Sequence, residues 1–135
     1  MIWSLGPEGL TMSESAPQPR PTDLRYKKAE RRLEVLFDDG AAFSLPAELL
    51  RVESPSAEVQ GHSPSEKQLI WGRRNVGIIG ITPVGHYAVA ITFDDLHDSG
   101  IFTWDYLYKL GREQDQIWQA YLAALAAAGK SRDPQ

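Results

Sequence analysis

The stretch FDDLHDSGIFTWDYLYKLG, Phe93 to Gly111, carries residue types that can do chemistry. Asp95, His97 and Asp98 offer carboxylate and imidazole donors close together, the start of a metal site or of an acid–base pair. In a strand, Asp95 and His97 fall on the same face. His62 supplies a second imidazole, and Glu58 lies in the same loop. An oxygen and nitrogen site for iron or zinc could therefore be assembled from His97, His62, Asp95 and Asp98. Against it, none of the three histidines (His62, His86, His97) has a partner at HxxxH or HExxH spacing. A histidine hydrogen-bonded at a strand end explains His97 more simply, and framework is the preferred reading.

Other chemistry is less well signposted. Ser63 and Ser99 lie outside any GxSxG elbow. Asp38 and Asp39 pair in a hairpin turn, where aspartate is the expected structural residue. Gly77 and Gly80 sit in an apolar strand and mark a bulge or a close backbone approach rather than a phosphate loop. No catalytic residue and no bound cofactor is expected, so the chain reads as non-enzymatic. The segment IWGRRN gathers Trp71, Arg73 and Arg74, types that dominate protein interfaces. With Tyr106 these residues form the candidate partner-binding patch, for an unknown protein partner.

The elements that must position these groups are legible. In LRYKKAERRLEVLFDDGAAFSLP, Leu33, Val35 and Phe37 alternate with Glu34, Leu36 and Asp38, the period of a half-buried strand. Turns are expected near Ala29–Arg31 and at Asp38-Asp39-Gly40. PAELLRVE reads as a short helix, and residues 54–75 as a long irregular excursion. VGIIGITPVGHYAVAITFDD makes two strands around a turn at Pro83–His86, and SGIFT a third. Thr103 or Asp105 caps a helix that Gly111 is expected to stop. In that helix Trp104, Leu107 and Tyr108 are assigned to the packed face and Tyr106 to the exposed one. A last helix, about Glu113 to Ala128, carries the stripe Ile117, Trp118, Tyr121, Leu122 and Leu125. The predicted class is α+β, a single domain with a mostly antiparallel sheet and two or three helices. Residues 1–22 read as a disordered leader, 23–129 as the domain and 130–135 as a frayed tail. Met1 and Met12 are alternative starts.

Composition removes whole classes. The 135 residues carry a net charge of −4, with no clustered basic face for a phosphate backbone, so nucleic acid is not an expected partner. The absence of cysteine excludes disulfides and thiolate metal sites made by this chain. No apolar run approaches the ~20 residues of a membrane span. With no signal-peptide pattern either, the expected location is the cytoplasm.

The blocks LRVESPSAEVQGH, PVGHYAV and HDSGIFTWDYL, occurring in this order, resemble the gamma-butyrobetaine hydroxylase-like N-terminal domain family over about residues 23–112. That family includes small stand-alone bacterial proteins of unknown function, and domains fused to carnitine-pathway oxygenases or to iron–sulfur carrier ATPases. In the oxygenases the resemblance implies an accessory domain that binds zinc through three cysteines and a histidine, with catalysis in a separate domain. Those positions are Ser54, Ser56, Val59 and His97 here, so the oxygenase-type zinc site is expected to be absent. The resemblance implies a non-enzymatic accessory or interaction module. The alternative is a metal-binding protein that assists iron–sulfur or iron-enzyme assembly through His97 and His62.

Overall fold

The computed structural model describes residues 19–61, 67–95 and 98–134. Strands β1 (Pro21–Lys27), β2 (Arg32–Phe37) and β3 (Ala42–Pro46) form one antiparallel meander. Its register sets Leu33 against Leu45 and Val35 against Phe43. The alternation therefore buries Leu33, Val35 and Phe37 on one face, as their spacing requires. The first turn brings Arg31 to φ 53°, and the second uses Gly40 at φ 92°, where glycine carries no steric penalty.

Strands β4 (Ile78–Val84), β5 (Ala88–Phe93) and β6 (Asp98–Thr103) form a second antiparallel meander. All pairing is antiparallel, as expected, but it is divided between two three-stranded sheets. The register shifts between Ile78 and Gly80, the bulge that the strand glycines signalled. Gly77 marks the close approach: a Cβ there would lie 3.1 Å from an Asp94 carboxylate oxygen and 3.2 Å from the Tyr26 hydroxyl. That hydroxyl accepts from the Ile78 N–H at 3.0 Å and ties the two sheets together.

Helix α1 (Ala47–Val52) and the single turn α2 (Ala57–Gln60) precede the second sheet; α3 (Trp104–Arg112) and α4 (Gln114–Ala128) follow it. Both sheets, α1 and α3 share one core, with Leu33, Leu45, Leu49, Ile91, Phe93, Phe102 and Leu107 all essentially inaccessible. One core joining both sheets makes the chain a single α+β domain. A smaller apolar cluster joins Val52 to Tyr121 and Leu125 of α4. No helix among the described residues is long and apolar enough to cross a membrane.

Two expectations need correction. Thr103 does cap α3, its hydroxyl accepting from the Tyr106 N–H at 3.2 Å, but Gly111 does not end it. Gly111 lies inside the helix, where a Cβ would overlap the Phe43 ring; the glycine serves helix–sheet packing. Second, Trp104, Leu107 and Tyr108 do pack in or against the core, but so does Tyr106, and the buried positions of α3 are Leu107 and Leu110. Gly129 closes α4 at φ 68°, and the chain then turns back along residues 72–74. At the other end, β1 starts at Pro21, inside the expected leader, while residues 1–18 lie outside the described residues.

Candidate interaction site

His97 and His62 lie outside the described residues. Asp98 opens β6, and Glu58 lies in α2. Asp95 is held in a way that differs from a metal ligand. Its Oδ2 accepts from Arg51 Nε and from Arg73 Nε, both at 2.8 Å. Two guanidinium groups on one carboxylate oxygen compete directly with any cation. Arg51 is nearly inaccessible, and its Nη1 is buried with no hydrogen-bond partner among the described residues. Next to this clamp, Ser54 is fully buried. Its hydroxyl donates to Ser56 Oγ and accepts from the Ser56 N–H, each at 3.2 Å. Val59 is buried in the same corner, and a Cβ on Gly100 would lie 3.4 Å from Ser56. The positions that resemble cysteine ligands are thus filled by a serine turn and a core valine. Among the described residues, no three His, Cys, Asp or Glu side chains converge as metal ligands would.

The structure brings Trp71, Arg73 and Arg74 together on one loop and leaves Tyr106 out of it. The Tyr106 hydroxyl donates to the Glu53 carbonyl. Burial first, and the Glu53 charge second, push this phenol well above its ordinary range. Tyr106 is framework, not an exposed anchor.

The loop carrying the other three residues is covered by the chain's own tail. The Gly72 N–H donates to the Ser131 carbonyl and the Arg74 N–H to the Arg132 carbonyl, each at 3.0 Å. The Lys130 ammonium stands 4.8 Å from the centre of the Trp71 ring. The Arg74 guanidinium pairs with Asp133, and Arg73 donates to both Asp95 and the Trp71 carbonyl.

At the centre of this contact stands Glu48, a carboxylate only 5 % exposed. Arg132 meets it in fork geometry, with Nε to Oε2 at 2.9 Å and Nη2 to Oε1 at 2.7 Å. The same guanidinium lies 5.1 Å from the Trp118 ring centre. The hydrogen bond to Glu48 raises the Arg132 pKa further, so this group stays charged. Around the pair is a cleft of about 380 Å³, to which Glu30, Arg31, Arg32 and Asp115 also contribute. The arrangement suits a planar cation, held between an aromatic side and a carboxylate side beside two main-chain donors.

Sequence reasoning missed Glu48, Trp118 and Arg132. Glu48 reads as an ordinary acidic residue in a helix's first turn, Trp118 as part of the apolar stripe, and Arg132 as tail. The available signal was Gly129 followed at once by a polar run, which fits a chain that turns back as well as one that frays.

The sequence profile described as gamma-butyrobetaine hydroxylase-like, N-terminal, matches residues 24–108. An NMR solution structure of a protein 51% identical covers 88% of this chain and 94% of its own, with a TM-score of 0.76. A second NMR solution structure is 48% identical, covers 93% of this chain and 92% of its own, and has the same TM-score, 0.76. A crystal structure from Acidithiobacillus ferrooxidans, of a protein with unknown function in the DUF971 family, is 39% identical. It covers 68% of this chain and 92% of its own, with a TM-score of 0.58. No curated protein matches the sequence. The matched profile spans the first strand through most of α3, well over half of the residues. The chain belongs to the gamma-butyrobetaine hydroxylase-like N-terminal family.

Proposed function

We propose that the protein is a non-enzymatic accessory module that works by binding a protein partner through the loop at residues 71–74. One observation carries this reading. The loop turns the N–H groups of Gly72 and Arg74, the Trp71 ring and the Arg74 guanidinium toward a segment lying across it, here the chain's own residues 130–133, which bend at Arg132 and Asp133. Main-chain pairing supplies affinity without regard to sequence, and the flanking aromatic and charged groups supply choice. Aromatic and arginine side chains are the types that anchor interfaces. The ionic groups of the neighbouring corner fit the same reading: Asp95 is bound by Arg51 and Arg73, which fixes the loop to the body of the domain.

Affinity capture from the native cell, read by mass spectrometry, tests it. Wild-type protein and a Trp71→Ala/Arg74→Ala double variant, both checked for folding by circular dichroism, are compared side by side. The expected result is a protein retained by wild type and lost by the variant. Identical capture by the two would remove the loop from the function.

A further inference from the structure

We propose that the Glu48–Trp118 cleft is a guanidinium-recognition site whose working occupant is an arginine-bearing segment of another protein, which displaces this chain's own tail. The proposal deepens the interaction reading above and rests on it. Glu48 presents both carboxylate oxygens from a nearly inaccessible position, and Arg132 matches them with two parallel N–H donors. A buried carboxylate of this kind discriminates strongly, since any occupant without a fork of donors leaves it unpaired. The Trp118 ring beside the guanidinium favours a flat, delocalised cation over an ammonium. On either side, the Gly72 and Arg74 N–H groups take successive carbonyls, and the Arg74 side chain takes the carboxylate of the following residue. Three consecutive residues, Ser131, Arg132 and Asp133, are therefore read at once: by main chain, by fork and by charge.

The tail is held as an exchangeable occupant would be. Residues 130–134 contribute no buried apolar side chain, and their contacts are hydrogen bonds, ion pairs and two cation–ring contacts, with the tail's own charged groups partly exposed. They follow a left-handed glycine at which the chain changes direction. The same tail on a second copy is a poor competitor, because exchange only remakes the contacts broken at home and adds the entropy cost of association. A segment of another protein can add contacts with the rest of the cleft, which Glu30, Arg31, Arg32 and Asp115 line.

The test uses the full-length chain carrying Arg132→Ala and the synthetic peptide GKSRDPQ, followed by NMR of the backbone amides. Saturable shifts at Gly72 and Arg74 are expected. The peptide with alanine in place of its arginine should bind about tenfold or more weakly, because the buried carboxylate then lacks a partner. Wild type should also bind GKSRDPQ about tenfold or more weakly, since its tethered tail competes at millimolar effective concentration. If Arg132→Ala does not fold, Arg132→Lys replaces it, keeping the charge without the fork. Equal binding of the two peptides, or no shift at millimolar peptide in a folded variant, overturns the proposal. So does a wild-type dimer that Arg132→Ala dissolves, which would place the tail in a second copy. Peptide failure combined with loss of partner capture in the Trp71→Ala/Arg74→Ala variant leaves the interaction reading standing without arginine recognition.

Discussion

Arg132 and Glu48, 84 residues apart, form a two-pronged ion pair that pins the C-terminal segment to the first turn of α1. The carboxylate side chain is 6 % exposed and the guanidinium side chain 29 %. The pair is therefore intermediate between a surface bridge, worth little, and a buried one whose breaking is expensive.

Removing either partner strands the other. Arg132→Ala is expected to lower stability by about 1–3 kcal/mol, below the full buried-pair figure because the arginine keeps solvent contact. Glu48→Gln, which keeps the shape, should cost less than Arg132→Ala, because it leaves no buried charge behind. A double-mutant cycle by urea denaturation checks both. Additive losses would show that the two residues are uncoupled.

Gly111→Ala sets two effects against each other. Alanine gains about 1 kcal/mol of helix propensity over glycine. The new methyl group, however, would overlap the Phe43 ring, which packs edge-on against both Phe37 and Tyr108. Overpacking of this kind costs about 1–3 kcal/mol and wins. The variant should melt below wild type, and the deficit should shrink in a Phe43→Leu background. A Gly111→Ala protein more stable than wild type would mean the helix and sheet part easily.

How much of this was legible depends on the range of the interaction. The β2 pattern Leu33, Val35, Phe37 named its own buried face, since alternation is local, and the turn at Gly40 named its own geometry. Gly111 carries the same letter whether it ends a helix or admits Phe43, and only the contact with the sheet decides. Tyr106 and Tyr108, two residues apart, point to nearly opposite sides of the helix, and both are packed because α3 meets Phe102 on one side and Phe43 on the other, which one apolar stripe does not signal. The Glu48 site was out of reach because polar residues 84 positions apart share no period.

Alkaline pH should act through Tyr121. Its hydroxyl donates to the Ile70 carbonyl at 2.7 Å, and burial first, then the Glu48 charge, push its pKa up to about 12. A pKa raised by folding adds stability that is complete below the unfolded value of about 10 and lost as pH climbs through about 12. Wild type should therefore lose stability more steeply than Tyr121→Phe between these values. Tyr106 and Tyr108, present in both proteins, cancel in the difference. Parallel pH profiles for the two would contradict the assignment.

Metal should be dispensable for folding. With Ser54, Ser56 and Val59 making a hydrogen-bonded and packed corner, excess EDTA is expected to leave the melting temperature unchanged. Titrating Fe(II) should not raise it either. A rise abolished by both His97→Ala and His62→Ala would establish metal binding through those histidines instead.

Amide hydrogen exchange at Gly72 and Arg74 tests most directly whether the loop is a binding surface held closed by the tail. In wild type both amides should be protected, because each donates to a tail carbonyl. In Arg132→Ala they should exchange about tenfold or more faster, while core amides such as that of Val35 keep their protection, as local opening requires. Unchanged protection at Gly72 and Arg74 in the variant would contradict the claim, since the tail would then be bound independently of the cleft.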